Sequence, residues 1–355
     1  MRILAIETSC DETAIAFLNI TGPIEKPNIE ILGNTLLSQA ELHSKYGGVY
    51  PSLAKREHQK NLPILLDETL RQANVDTKHP QVELIAVTIG PGLEPALWTG
   101  ITFAKGLEEK WGVPILPVNH MHGHIYSILY RQKEELKFPA LALLISGGHT
   151  EIVLINQIGE HELIGETKDD AVGEAFDKVA RMLGLPYPGG PEISNLAEMA
   201  RNEGMQDTIN FPRPMIKSDN LNFSFSGLKT AVLYKIKNSQ EITPKLKKEI
   251  ALAFENAVAE VLTLKIKKAI LNHKGRIRSL IIAGGVSSNK YIQRSFHNLA
   301  RDFKELKLFI PNNELATDNA IMIGISAYIT KNKNPEAKYT KINMEANGNL
   351  SINNL

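Results

Sequence analysis

The sequence predicts an α/β chain made of two related halves, each opened by a β-hairpin, and three observations lead there. A buried strand, a small polar turn and a second buried strand occupy residues 3–6, 7–13 and 14–18, and the unit recurs. Laid without gaps on residues 141–155, it matches Leu4 with Leu141, Ala5 with Ala142, Ser9 with Ser146, Thr13 with Thr150 and Ile15 with Ile152. Between and after the copies, helical spacing alternates with short apolar runs in the α/β manner. Glycine pairs follow several of those runs, at Gly147-Gly148, Gly189-Gly190 and Gly284-Gly285. Such loops let a ligand approach the backbone closely.

The elements follow in order. Residues 52–75 read as helix with a break expected at Pro63, 84–89 as a buried strand, Gly90-Pro91-Gly92 as a turn, 95–111 as helix and 113–118 as strand. Helices at 171–183 and 191–202 come after the second hairpin. Phe211-Pro212-Arg213-Pro214 is irregular, and 221–227 carries too much Ser, Asn and Gly for a helix interior, so it reads as a loop into helix 228–237. Helix 244–273, strand 279–283, helix 289–302, strand 306–310 and helix 318–331 complete the pattern, and the polar tail from Asn332 is expected to fray. The expected division is 1–135 for the first half, 136–335 for the second and 336–355 for the tail.

Composition narrows the class. With 355 residues, 43% of them apolar, and a net charge of +1, the chain can bury a large core in two domains. No run of about 18 apolar residues could cross a membrane, and strand pattern begins at once at the N-terminus with no room for a targeting peptide. The cytoplasm is the expected compartment. A single cysteine, Cys10, excludes an internal disulfide and a Cys-rich zinc site; with no His beside it, it reads as a small buried residue rather than a nucleophile.

His120-Met121-His122-Gly123-His124 follows the strand at 113–118 and opens a segment of helical spacing. A helix beginning near His120 puts His120 and His124 one turn apart on one face, where two imidazoles can share a metal, and turns His122 away. The zincin protease motif needs Glu directly after its first His; Met121 stands there, so the pattern fits a metal site without a protease. Carboxylates gather elsewhere: Glu7, Asp11 and Glu12 in the first turn, and Asp169, Asp170, Glu174 and Asp177 near a helix start. Asp318 can be read as a cap of the last helix or as the carboxylate completing a two-histidine metal site. Asp169 and Asp170 read as carboxylates favoured at a helix N-terminus. From Lys229 to Arg278 twelve Lys or Arg face four Asp or Glu, either a phosphate-binding face or a long helix with solvated lysines.

These residues together resemble the TsaD family, the bacterial tRNA threonylcarbamoyladenosine transferases once described as glycoproteases. The resemblance runs from Ile3 to about Tyr328. It rests on Ile6-Glu7-Thr8-Ser9-Cys10-Asp11-Glu12-Thr13, on His43 with Tyr46-Gly47-Gly48-Val49, on Gly90-Pro91-Gly92-Leu93, on Asn119 through His124, and on Ser146 through Thr150. Gly173 through Lys178, Tyr187 through Pro191, Phe223 through Lys229, Ala283 through Asn289 and Thr317-Asp318-Asn319 complete it. It implies an actin-like ATPase (ASKHA) fold of two RNase H-like halves with a central cleft. The implied reaction moves the threonylcarbamoyl group from threonylcarbamoyl-AMP to N6 of adenosine-37 in tRNAs that read codons beginning with A.

Carried over residue by residue, the metal ligands are His120, His124 and Asp318, holding one divalent ion, Fe(2+) in first place and Zn(2+) in second. Leu144, Ile145, Ser146, Gly147, Gly148, Asp177, Gly190 and Asn289 would hold the substrate, and an ATP- or AMP-type nucleotide would sit in the cleft. Some relatives carry a metal-reaching Tyr where Leu144 stands, so here substrate or water would complete the coordination. The base taking the amine proton is assigned to Asp11, with Glu12 second, by likeness to the catalytic turn of related folds; His149 is read as a structural hydrogen-bonder. Implied partners are tRNA, a TsaB-like paralogue as heterodimer partner, a TsaE-like ATPase and a TsaC-like enzyme supplying the adenylate, with no membrane. A non-catalytic TsaB-type scaffold is opposed by the His120, His124 and Asp318 set. A small-molecule kinase is opposed by the lack of a glycine-bearing phosphate turn at residues 7–13, and a metalloprotease by Met121.

Overall fold

The computed structural model describes residues 1–78, 80–335 and 344–354. Two compact units divide the chain, one of Met1–Leu136, Gln157–His161 and Pro311–Leu355, the other of Lys137–Asn156 and Glu162–Ile310. The first contains a sheet of Arg2–Glu7 (β1), Glu12–Thr21 (β2), Asn28–Ser38 (β3), Leu84–Gly90 (β4) and Ile115–Asn119 (β5), ordered β3-β2-β1-β4-β5. The second sheet holds Ala140–Ile145 (β6), Thr150–Gln157 (β7), Glu160–Glu166 (β8), Ser279–Ala283 (β9) and Lys307–Phe309 (β10), ordered β8-β7-β6-β9-β10. The two orders are the same path.

The register repeats as well. Leu4 pairs with Phe17 across β1 and β2, and Leu141 pairs with Leu154 across β6 and β7, the offset of the gapless sequence match. In parallel, Ile3 meets Leu84 and Ala140 meets Ser279. A one-residue slip would turn each apolar set to the wrong face, so a shared register means a shared core arrangement.

In the first unit Leu4, Ile6, Ile15 and Phe17 face Leu62, Leu65 and Leu66 of the Pro51–Gln72 helix and Ile101, Ala104 and Leu107 of the Glu94–Trp111 helix. The opposite face is covered by the Ala320–Lys333 helix, buried at every position from Ala320 to Ile329. A Cβ on Gly324 would lie 2.4 Å from Leu18 Cδ1, so this helix lies directly on the sheet. An helix apolar on all sides needs cover on all sides. The expected second half, 136–335, is corrected accordingly: Pro311 onward belongs to the first unit.

Other differences have local causes. Pro63 does not break its helix, which runs unbroken over Pro51–Gln72; the neighbours Asn61, Leu62, Leu65 and Leu66 are buried and hold it through the exposed proline. The outer strands β3 and β8 were not anticipated, being half polar with only partial alternation (NIEILGNTLLS and EHELIGE). Of the expected tail, 336–343 and 355 lie outside the described residues, but 344–354 packs instead of fraying. Asn347 N donates to Ile89 O at 2.9 Å, Gly92 N donates to Gly348 O at 3.2 Å, and Met344 and Ile352 are buried. Among the described residues no helix is long and apolar enough to cross a membrane.

Candidate metal centre and glycine loops

At the end of β5 the Asn119 side chain accepts from Met121 N at 2.9 Å and starts a seven-residue helix, His120–Tyr126. His120 and His124 then stand on one face. Asn319, not Asp318, caps the last helix, accepting from Met322 N at 2.9 Å. Asp318 turns instead toward the histidines, its Oδ1 3.3 Å from His120 Nε2 and 3.2 Å from His124 Nε2. Gly123 permits this meeting, since a Cβ there would come within 3.0 Å of Met322 and Ile323. The three ligand atoms lie within 4.8 Å of one another.

Their chemistry fits a divalent cation. Both ring nitrogens of the fully buried His124 lack a hydrogen-bond partner; the 3.2 Å approach to Asp318 has ion-pair distance without hydrogen-bond geometry. Buried polar atoms are rarely left so. Two imidazole nitrogens and one carboxylate oxygen form the donor set of non-haem iron and three-ligand zinc sites.

Glu7 supplies a part that sequence reasoning placed only in a crowded acidic turn. Fully buried at the end of β1, it accepts from His120 Nδ1 at 3.0 Å and from Thr88 Oγ1 at 2.6 Å. This bond fixes which His120 nitrogen faces Asp318, the usual support of a metal-bound histidine. The visible signal was a carboxylate ending an otherwise apolar run. Burial alone would raise the Glu7 and Asp318 carboxyls, but the adjoining His120 charge and hydrogen bonds outweigh it and hold both below the carboxylate range. Burial likewise opposes an imidazolium at His120, yet Asp318 and Glu7 overcome it and raise the ring well above its ordinary value. A cation held here would take over the role of that proton.

Asp11 is buried in the turn between β1 and β2, and Glu12 begins β2 with its Oε1 accepting from Ser38 Oγ at 3.1 Å. Burial, with the charges of Asp318 and Asp11, pushes the Glu12 carboxyl well above its usual range. Burial and the same acidic surroundings push the Cys10 thiol up, so it stays protonated and is no nucleophile.

His122 turns away from the pair, as expected, but is far from solvated. Its Nε2–H donates to Ile352 O at 2.7 Å, and its ring stacks on His161 at 4.2 Å. Tyr126 Oη accepts from Gly159 N and so donates to His161 Nε2 at 2.9 Å. Burial lowers His122 to about 4, and burial with the His122 and Lys333 charges lowers His161 to about 3. Below the ordinary value of 6.5 the unfolded chain takes up protons that the folded chain refuses. Stability is therefore expected to fall as pH drops from 6.5 toward 4, by about 1.4 kcal/mol per unit for each ring while it stays neutral. Urea unfolding of wild type and His161→Gln checks this: the variant should have the shallower pH slope, and equal slopes would refute it.

In the second unit the glycine loops meet at one end of the sheet. Leu144 and Ile145 end β6 with buried side chains, leaving only main chain to meet a ligand. Ser146 N donates to His149 O at 2.9 Å and Ser146 Oγ accepts from His149 N at 3.1 Å, closing the Ser146–His149 turn. Gly173, at the start of the Val172–Met182 helix, donates its N–H to Ser146 O at 3.1 Å. Asp177 Oδ1 accepts from Gly189 N at 2.7 Å and ties the next glycine turn to that helix. A Cβ on Gly284 would lie 2.5 Å from Ile145 O, whereas a Cβ on Gly147, Gly148, Gly190 or Gly285 would meet nothing within 4 Å. The chain's own packing does not demand glycine at those four positions; a ligand approaching the backbone would. Gly173→Ala would set a Cβ 2.5 Å from Ser146 O. It is expected to cost about 1–3 kcal/mol, read as a lower unfolding midpoint, and an unchanged midpoint would refute the contact.

Asn289 is already engaged. Its Oδ1 caps the Lys290–Arg301 helix by accepting from Tyr291 and Ile292 N, both at 3.0 Å, and its Nδ2 donates to the buried Glu255 at 2.7 Å. Asp169 accepts from Phe225 and Ser226 N at 2.8 and 3.2 Å, so it sits at the N-terminus of the Ser226–Lys237 helix rather than of the helix that follows it in sequence. Asp170 pairs with Lys178 and Lys229, each at 2.8 Å. The basic stretch is not one solvated face: Lys265 is buried and donates to Ser218 Oγ and Asn220 O, and Lys248 and Lys267 pair with Glu203 and Asp302.

Comparisons with known proteins agree with this picture. The model of the family described as TsaD: tRNA N6-adenosine threonylcarbamoyltransferase matches residues 30–325. A protein of that name from Thermosipho africanus is 44% identical over 353 residues, covering 99% of this chain and 100% of its own; one from Staphylococcus aureus is 44% identical over 327 residues, covering 92% and 90%. Among solved structures, full-length HypF (TM-score 0.57, 13% identity) covers 96% of this chain and 47% of its own, and HypF of T. kodakarensis (0.59, 13%) covers 93% and 47%. At such identity the likeness concerns fold alone, the actin-like ATPase architecture. Sequence match, duplicated sheets and the convergence of His120, His124 and Asp318 thus lead to one conclusion: the chain belongs to the TsaD family of tRNA N6-adenosine threonylcarbamoyltransferases.

Proposed function

We propose that this chain transfers the threonylcarbamoyl group of threonylcarbamoyl-AMP to N6 of adenosine-37 in tRNAs reading codons that begin with A. The observation that carries the reading is the buried His120, His124 and Asp318 set, with His124 lacking hydrogen bonds and His120 oriented by Glu7. His120, His124 and Asp318 would hold one divalent ion, Fe(2+) in first place and Zn(2+) in second, which would supply Lewis-acid polarisation of a carbonyl. The N6 nitrogen bonds to the carbamoyl carbon, the bond from that carbon to the phosphate oxygen breaks, and AMP leaves. Asp11 takes the proton from N6; Glu12, held up by burial and by Asp318 and Asp11, ranks second as a base. Leu144, Ile145 and Ser146 carry the first loop, and the main-chain N–H groups of Gly147, Gly148 and Gly190 hold the adenylate, with Asp177 and Asn289 fixing the turns beside it. A TsaB-like paralogue, a TsaE-like ATPase and a cytoplasmic setting complete the proposal.

The test is transfer of labelled threonylcarbamoyl from its adenylate to tRNA, with both partner proteins supplied. Label should enter tRNA carrying adenosine-37 and not the same tRNA carrying guanosine-37. No transfer, or equal labelling of both, would overturn the reading.

A further inference from the structure

We propose that His58 is a positioning residue for the transfer: its bond to Cys10 O fixes the peptide plane before Asp11, as the Gln39 main chain fixes the plane after it, and His58 thereby helps to aim the Asp11 carboxylate. This deepens the reading in which the turn between β1 and β2 carries the base. His43, His58, Gln39 and Thr13 are buried, so water does not compete for their polar atoms. A peptide N–H can only donate, and Tyr50 N lies 3.3 Å from His43 Nδ1. The His43 proton therefore sits on Nε2, which donates to Gln39 Oε1 at 3.2 Å. That sets the Gln39 amide, whose Nε2 donates to His58 Nδ1 at 3.4 Å.

The other end gives the same answer independently. A carbonyl can only accept, and Cys10 O lies 3.0 Å from His58 Nε2, so the His58 proton is on Nε2 and Nδ1 is an acceptor. Thr13 Oγ1 donates to that Nδ1 at 2.8 Å and itself accepts from Asn61 Nδ2 at 3.4 Å. A peptide N–H at one end and a carbonyl at the other dictate one consistent proton arrangement, with each imidazole singly protonated. Burial lowers both rings, which agrees with that state.

The consequence falls on Asp11. The Cys10 carbonyl belongs to the peptide unit before Asp11, and the Asp11 carbonyl, which accepts from Gln39 N at 3.0 Å, to the unit after it. Two peptide planes held by side chain and main chain of the same network leave φ and ψ of Asp11 little freedom, so its Cα–Cβ direction is set. An aimed carboxylate matters to rate, because a misplacement of about 1 Å can cost about 10²-fold.

The test compares His58→Gln with His58→Asn in the full chain with both partners. Gln carries an amide nitrogen at the place of Nε2 and can donate to Cys10 O; Asn can accept from Thr13 but does not reach Cys10. We expect kcat to fall about 10- to 100-fold in H58N, with KM for the adenylate and metal content unchanged, and to recover to within about threefold of wild type in H58Q. The ¹⁵N signals of the His58 ring should mark an Nε2–H tautomer. Wild-type kcat in H58N, an H58Q as slow as H58N, loss of metal in both, or an Nδ1–H tautomer would each overturn the proposal. Asp11→Asn separates it from the base assignment. An inactive D11N beside a fast H58N overturns the positioning; a fast D11N beside a slow H58N overturns Asp11 as base while leaving the hold on the turn.

Discussion

His124→Ala is expected to abolish tight metal binding and lower the transfer rate by about 10²- to 10³-fold, the scale of losing one main source of charge stabilisation in a transition state. The reasoning starts from His124 itself, which is fully buried and has no hydrogen bond at either ring nitrogen. A histidine serving the fold alone would donate at least one bond, as His122 does to Ile352. Removing His124 therefore breaks no hydrogen bond. It leaves a cavity, whose cost is felt as stability rather than chemistry. Metal analysis, transfer rate and circular dichroism on one preparation distinguish the two. Metal and rate should fall while the spectrum stays native, and a variant with wild-type metal and rate would show that the pair is structural. Asp318→Asn, which removes a charge without changing shape, should act in the same direction.

Glu7→Gln is expected to weaken metal affinity about 10- to 100-fold, the usual effect of removing a support behind a metal-bound histidine. The substitution keeps volume, and a Gln oxygen at the place of Oε2 still accepts from both His120 Nδ1 and Thr88 Oγ1, while the amide nitrogen at the place of Oε1 loses the bond from Ser9 N. What the His120 ring loses is the charge that makes it more basic. Competition with a chelator should report the weaker affinity, and saturating metal should restore most of the rate. Unchanged affinity would remove Glu7 from the metal site.

Periodicity exposed some parts of this structure and not others. Strands β1, β2, β4, β6 and β9 were legible because they are covered on both faces and read as unbroken apolar runs. Strands β3 and β8 were not, because polar residues interrupt both and neither gives an unbroken apolar run or a clean alternation. The pairing of His120 with His124 followed from helical spacing, which left Asp318 open between cap and ligand, and the resemblance chose the ligand. Glu7 as the partner of His120 could not be found that way, since residues 113 positions apart meet only through sheet order. The same holds for His58 and Cys10, and for the tail that receives His122. Asn319 took the capping task that spacing alone left open to Asp318.

The most direct measurement is metal titration of the chelated, full-length protein with its partners, reading transfer of labelled threonylcarbamoyl to tRNA at each addition. Activity should be absent after chelation and return in proportion to added metal, saturating at one ion per chain, with His124→Ala silent throughout. Full activity in the chelated protein, or equal restoration of His124→Ala, would contradict a transfer centred on His120, His124 and Asp318.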